Sequence, residues 1–153
     1  MAILELGINL GMKSLVENKY YSSSDNILNP EIRARLLVGI EEFISEVFGD
    51  EINVISLSNF EIICYYEMVH IASKKTDESL PLLTFAIIEK GTNHNFVKKH
   101  LQEITTRFLK HFNLNDVSMK TSKHFKVFEP VIDEILGDLR FSMEDRISTI
   151  FKD

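Results

Sequence analysis

Residues 52–90 read INVISLSNFEIICYYEMVHIASKKTDESLPLLTFAIIEK, and their periodicity decides the fold class. Ile52 to Leu57 is rich in β-branched residues and reads as a strand, Ser58-Asn59 as a tight turn, and Phe60 to Ala72 as a long second strand. Ser73 to Ser79, with two lysines and two acids, reads as a surface loop. Pro81 stands at the start of a third strand, one of the few places a sheet tolerates proline. Leu82 to Glu89 is a nearly unbroken apolar run, the pattern of a central strand covered on both faces. Connections this short cannot hold the crossovers of parallel strands, which need a dozen or more residues, so the segment is an antiparallel meander.

Upstream, Leu4, Leu6, Ile8 and Leu10 alternate with Glu5, Gly7 and Asn9, as in a strand with one buried face. Gly11 to Lys13 is a turn and Leu15 to Tyr21 a return strand, completing a hairpin over Ala2 to Tyr21. Asn29-Pro30 then opens a helix: the residue before proline leaves the α region, as an N-cap must, and proline suits the first helical position. Gly49 ends it. Along Pro30 to Phe48, the residues Ile32, Leu36, Leu37, Ile40, Phe43, Ile44, Val47 and Phe48 form one apolar stripe. Ala34, Val38, Glu42 and Ser45 lie opposite, on what is either an ordinary solvent face with one stray apolar residue or a small-residue face that packs against a partner chain.

Downstream, Asn93 to Asn95 cap a helix with Val97, Leu101, Ile104, Phe108 and Phe112 inward and Lys99, Glu103, Arg107 and Lys110 outward. Asn113 to Lys126 is polar and poorly periodic, and reads as an irregular connection. Glu129-Pro130 starts another helix with Phe128, Val131, Ile132, Ile135 and Leu139 on one face. Ser142-Met143-Glu144-Asp145 resembles a capping signal, so a kink near Phe141 and a separate last helix are expected. The expected architecture is α+β: a five-stranded antiparallel sheet in the order β-β-α-β-β-β-α-α with helices packed on it, as one domain over residues 1–153 with a helical extension from about residue 128.

Composition fits that reading. The chain has 153 residues, 44% hydrophobic and 26% charged, which is ordinary for a globular domain and unlike a disordered one. Its single cysteine, Cys64, excludes an internal disulfide, and no secretion signal or membrane-length apolar run is present, so a cytoplasmic setting is expected. The net charge is −6, but Phe96 to Val127 carries seven Lys/Arg against two acids, a local +5 that leaves −11 on the remainder. The acidic balance argues against general nucleic-acid binding. The basic stretch, with Lys99, Arg107, Lys110, Lys120 and Lys123 as its surface, reads either as a solvated helix face and loop or as a surface for an acidic protein or peripheral contact with an anionic membrane.

No catalytic constellation emerges. The histidines (His70, His94, His100, His111, His124) show no HxxxH or HExxH spacing, and His100 and His111 sit about 16 Å apart along a helix, so they cannot share an ion. The glycines are scattered, with no phosphate-cradling pattern and no GxSxG elbow. Cys64, between Ile63 and Tyr65 in mid-strand, is a core residue whose burial blunts its reactivity. Adjacent acid pairs such as Glu41-Glu42, Asp133-Glu134 and Glu144-Asp145 diverge by about 100° on a helix and cannot act together. No enzymatic activity, metal or cofactor is expected.

The order hairpin, helix, three strands, helices resembles the longin domain and, more loosely, the roadblock domain. The resemblance is carried by Leu36-Leu37-Val38-Gly39-Ile40 with Phe43, by Asn53 to Ile62 across the turn, by Leu82 to Lys90, and by Phe96-Val97-Lys98-Lys99-His100-Leu101. It implies a non-enzymatic adaptor of vesicle-trafficking or small-GTPase-regulating assemblies, dimerising through the first helix and the adjoining strand edge. On this chain that surface comprises Ala34, Val38, Glu42 and Ser45 with Asn53 and Ile55. Its expected partner is a second copy, another longin- or roadblock-like chain, or a small GTPase. The sequence ends at Asp153 without a long heptad segment, so a SNARE role is not expected. The competing reading is a small-molecule sensor, which requires an interior cavity of about 300 Å³ or more.

Overall fold

The computed structural model describes residues 3–11, 13–20, 54–56, 60–72 and 77–140. Four long antiparallel strands make the body of the sheet: β1 (Ile3–Leu10), β2 (Lys13–Lys19), β4 (Phe60–Ala72) and β5 (Asp77–Glu89). A three-residue ladder, β3 (Val54–Ser56), pairs with Glu61–Ile63 of β4, giving the order β2-β1-β5-β4-β3. The expected antiparallel α+β architecture is therefore present. The expected helix Pro30 to Phe48, the interface positions Ala34, Val38, Glu42, Ser45 and Asn53, and the last helix from Ser142 lie outside the described residues.

The hairpin closes where Leu10 pairs with Lys13, and Gly11 takes a φ of +56°, a left-handed turn conformation that glycine adopts without steric cost. β2 begins at Lys13 rather than Leu15. β5 begins at Asp77, so the last part of the expected Ser73 to Ser79 loop is strand: Asp77, Glu78 and Ser79 face Ala72, Ile71 and His70 of β4. Their polarity hid this. β1 covers β5 only from Leu82 onward, so residues 77–81 extend past it, where a polar composition carries no penalty. Pro81 consequently lies inside the strand, opposite Met68. A residue's N–H and C=O point to the same side of a strand. The Pro81 carbonyl accepts from the Gly11 N–H at 3.0 Å, so the missing proline donor faces the hairpin turn and the β4 ladder loses nothing.

Strand β1 differs from its expectation. The alternation suggested one buried face, yet Glu5 and Asn9 are as buried as Leu6 and Ile8, with Glu5 at 0% exposure. Both faces of β1 are covered, as they are along the neighbouring central strand β5. On one face Leu6, Ile8 and Leu10 pair with Ala86, Thr84 and Leu82. On the other, Gly7 pairs with Phe85, and Leu83, Ile87, Ile62 and Cys64 are also buried. A Cβ on Gly7 would overlap the Phe85 ring, so only glycine lets that ring lie across β1. β5 meets the expectation for a central strand, since Leu82 through Ile88 are all buried.

The helical layer packs on the Leu82-Thr84-Ala86 face. Helix α1 (His94–His111) starts at Asn93, whose side chain accepts from the Phe96 N–H at 3.0 Å, and buries Val97, Leu101, Ile104 and Phe108 as its spacing requires. Thr105, an unexpected polar member of the buried face, meets Thr84 of β5 at 2.6 Å. Because Thr105 spends its hydroxyl proton on the Leu101 carbonyl at 2.8 Å, Thr84 is the donor between the two.

Asn113 to Lys126 is not irregular. It forms α2 (Leu114–Met119) and α3 (Ser122–Phe125), followed by a 3₁₀ turn at Lys126–Phe128. Asn113 caps α2 by accepting from the Asp116 N–H at 2.8 Å, a signal too local to show in the periodicity. Each short element places an apolar anchor inward: Val117, Phe125 and Phe128 are 0–1% exposed. Helix α4 (Glu129–Leu136) carries Pro130 in its first turn as expected, and Ile132 and Leu136 are its buried residues. It ends at Gly137, which has a φ of +53°, and a 3₁₀ turn over Gly137–Arg140 follows, so the helix breaks earlier than Phe141.

Two outcomes test this packing. Thr105→Val strands the buried Thr84 donor and should cost about 1–3 kcal/mol, whereas Thr84→Val/Thr105→Val together should be nearly neutral; urea unfolding of the single and double variants checks the cycle. Gly7→Ala should cost a further about 1–3 kcal/mol through overpacking, and Phe85→Leu in the same chain should recover part of the lost midpoint.

Candidate functional surface

The basic residues singled out in the sequence are all exposed, but they divide between two elements. Lys99, Arg107 and Lys110 lie on the outer side of α1, with Arg107 held by Glu103 at 3.1 Å, one turn back. Arg107 and Lys110 come together with His111, Phe128 and Val131 around an open depression of about 240 Å³. That volume falls short of the roughly 300 Å³ expected of a small-molecule pocket. Lys99 is about 12 Å further along the helix axis. Lys120 and Lys123 belong to the α2–α3 segment instead.

What fixes that segment is a cluster of phenylalanine rings absent from the sequence-based reading as a unit. Phe108 and Phe112, one turn apart at the end of α1, pack against Phe125 and Phe128 with centroid separations of 4.9–6.0 Å. Such separations suit tilted and edge-to-face contacts, worth about 0.5–1.5 kcal/mol per pair beyond the area they bury. His111 and His124 flank Phe112 at 4.7 and 5.7 Å. His124 also approaches Asp116 at 3.7 Å. Two imidazoles thus pack on the outer side of the ring cluster.

A second unanticipated contact ties α4 to the hairpin edge. Tyr20 donates to the Asp133 carboxylate at 2.5 Å, and the Asn18 amide donates to the same oxygen at 3.4 Å and to the Tyr20 hydroxyl at 3.1 Å. These partners are more than a hundred residues apart in the chain. No spacing rule could join them.

The remaining candidates have structural settings. His100 bonds the Phe96 carbonyl at 2.8 Å within its own helix, and His94 contacts Glu61 at 3.0 Å. Among the described residues no group of three or more His, Cys, Asp or Glu side chains is placed to hold a metal ion, and no helix is long and apolar enough to cross a membrane. Of the interface positions inferred from the resemblance, Ile55 alone lies within the described residues, in the middle of the edge ladder β3. No known family model matches the chain, and no curated protein matches it.

Cys64 is buried in β4, and desolvation pushes its thiol up to about 12. An unfolded thiol titrates near 8.5. The unfolded chain therefore ionises first, so stability is intact below about pH 8.5 and lost as pH rises toward the folded value. Between about pH 8 and pH 10 the wild-type chain should lose about 2 kcal/mol more than Cys64→Ala, as measured by paired urea titrations that cancel the lysine and tyrosine contributions.

Proposed function

We propose that this chain is a longin-like, non-enzymatic interaction scaffold, acting as a dimer in small-GTPase-regulating or vesicle-trafficking-like assemblies. The observation that carries the reading is that an N-terminal hairpin and a three-run meander share one antiparallel sheet through the β1–β5 ladder, with helices laid on it. A hairpin and a meander in one sheet are the strands that the longin resemblance implies, and this supports the reading. Among the described residues the sheet and α1 pack closely: the side chains of Leu6, Ile8, Leu82, Ala86, Leu101, Ile104 and Phe108 are 0% exposed. Function then falls to outer surfaces. β3 stands at the end of the strand order, and an edge ladder offers backbone groups for pairing with another chain.

The partner surface is the Ala34, Val38, Glu42 and Ser45 set with Asn53 and Ile55, and the partner is a second copy, a longin- or roadblock-like chain, or a small GTPase. Sedimentation velocity should show a concentration-dependent dimer, and Val38→Asp should shift it to monomer while leaving the circular dichroism unchanged. A chain that sediments as a monomer throughout, and that recovers neither a GTPase nor a longin-like protein from its native cell, would overturn the proposal.

A further inference from the structure

We propose that the α2–α3 segment is a docking surface for anionic lipid bilayers, independent of the scaffold reading. From Val117 to Phe128 the sequence is VSMKTSKHFKVF, with three lysines and no acid. Val117, Phe125 and Phe128 are 0–1% exposed, which pins the segment onto β4, β2 and the end of α1. Of the intervening side chains, His124 rests on the Phe112 and Phe125 rings, while the lysines, Met119 and Val127 face solvent. Met119 is 72% and Val127 64% exposed, the two most exposed large apolar residues described, and Lys120, Lys123 and Lys126 are exposed between them. Lys13 of the hairpin donates to the Ser118 carbonyl at 3.2 Å and adds a fourth cation at the rim. The bordering acid Asp116 accepts from Asn113 at 3.4 Å and faces His124 at 3.7 Å; the other bordering acid is Glu129.

A lipid surface fits this chemistry better than an acidic protein does. The cations are all lysine, a hydrated point charge that attracts without requiring geometry, and lysine is depleted at protein–protein interfaces where arginine is enriched. The two apolar side chains stand out singly, as wedges that enter an interfacial layer, instead of lining a groove that a peptide could fill. Each lysine near an anionic bilayer contributes roughly a fivefold gain in partitioning at physiological ionic strength.

The test uses the full chain in co-sedimentation with vesicles of phosphatidylcholine containing about a third phosphatidylserine, against pure phosphatidylcholine. Binding should be confined to the anionic vesicles, fall about fivefold for each Lys→Ala at Lys120, Lys123 and Lys126, and weaken again in Met119→Ser/Val127→Ser. Every substituted residue is exposed, so circular dichroism should be unaltered. Lys99→Ala/Lys110→Ala, on α1, should bind at least as well as any single variant of the segment. Absence of binding to anionic vesicles, binding that the α1 pair abolishes and the segment variants do not, or capture by polyglutamate with the vesicles left in the supernatant would each overturn the assignment.

Discussion

The β1–β5 ladder is the constraint on which the rest of the structure depends. It joins residues about eighty positions apart, Leu6 to Ala86 and Gly7 to Phe85, and so makes one sheet of a local hairpin and a local meander. Each of those could form alone only marginally, because a two-stranded ribbon in water buries too little. The ladder also has little freedom to slip. Shifting β1 by one residue would turn Glu5 and Asn9 toward α1 and present Leu6 and Ile8 to the Phe85 face. It would also set a side chain where Gly7 must be, against the Phe85 ring. Register is therefore fixed three times over: by apolar pattern, by the glycine, and by the Gly11 turn that sets Leu10 against Lys13.

The helical layer follows from the same ladder. Once Leu82, Thr84 and Ala86 line one face, α1 has a row to lie on, and the Thr84–Thr105 hydroxyl pair fixes its position along that row. The end of α1 then presents Phe108 and Phe112, and these rings decide where the chain goes next. Elements as short as α2 and α3 are unstable as isolated helices, since nucleation alone is unfavourable. They persist because Val117 buries itself where α2 meets β4, and Phe125 and Phe128 pack on those rings.

What the sequence revealed, and what it concealed, divides along physical lines. Strand β4 was legible to the residue, Phe60 to Ala72, because β-branched and aromatic residues fill it continuously. The α1 stripe was equally legible, because Val97, Leu101, Ile104 and Phe108 recur at helical spacing. The start of β5 was not, because Asp77, Glu78 and Ser79 pair with β4 beyond the cover of β1, where burial does not select their side chains. Nor were α2 and α3, since a helix of four to six residues is too short for a period to register and its evidence is one cap and one anchor. At the candidate surface the lysines could be read as cations, but not as two separate groups. That division depends on which backbone the phenylalanines hold, a long-range fact.

The two outer surfaces also lie apart, which bears on how one small chain could use both. Lys13, which holds Ser118, sits beside Leu10 at the hairpin tip, where Gly11 meets Pro81 and Pro81 faces Met68 of β4. β3 pairs with Glu61, Ile62 and Ile63, five to seven residues back along β4. At about 3.3 Å per residue that is roughly 16–23 Å along the strand. α3 packs near β2 and α2 near β4, so the segment lies across the sheet from one edge strand toward the strand beside β3. The Lys13–Ser118 contact and the β3 ladder thus occupy different stretches along β4.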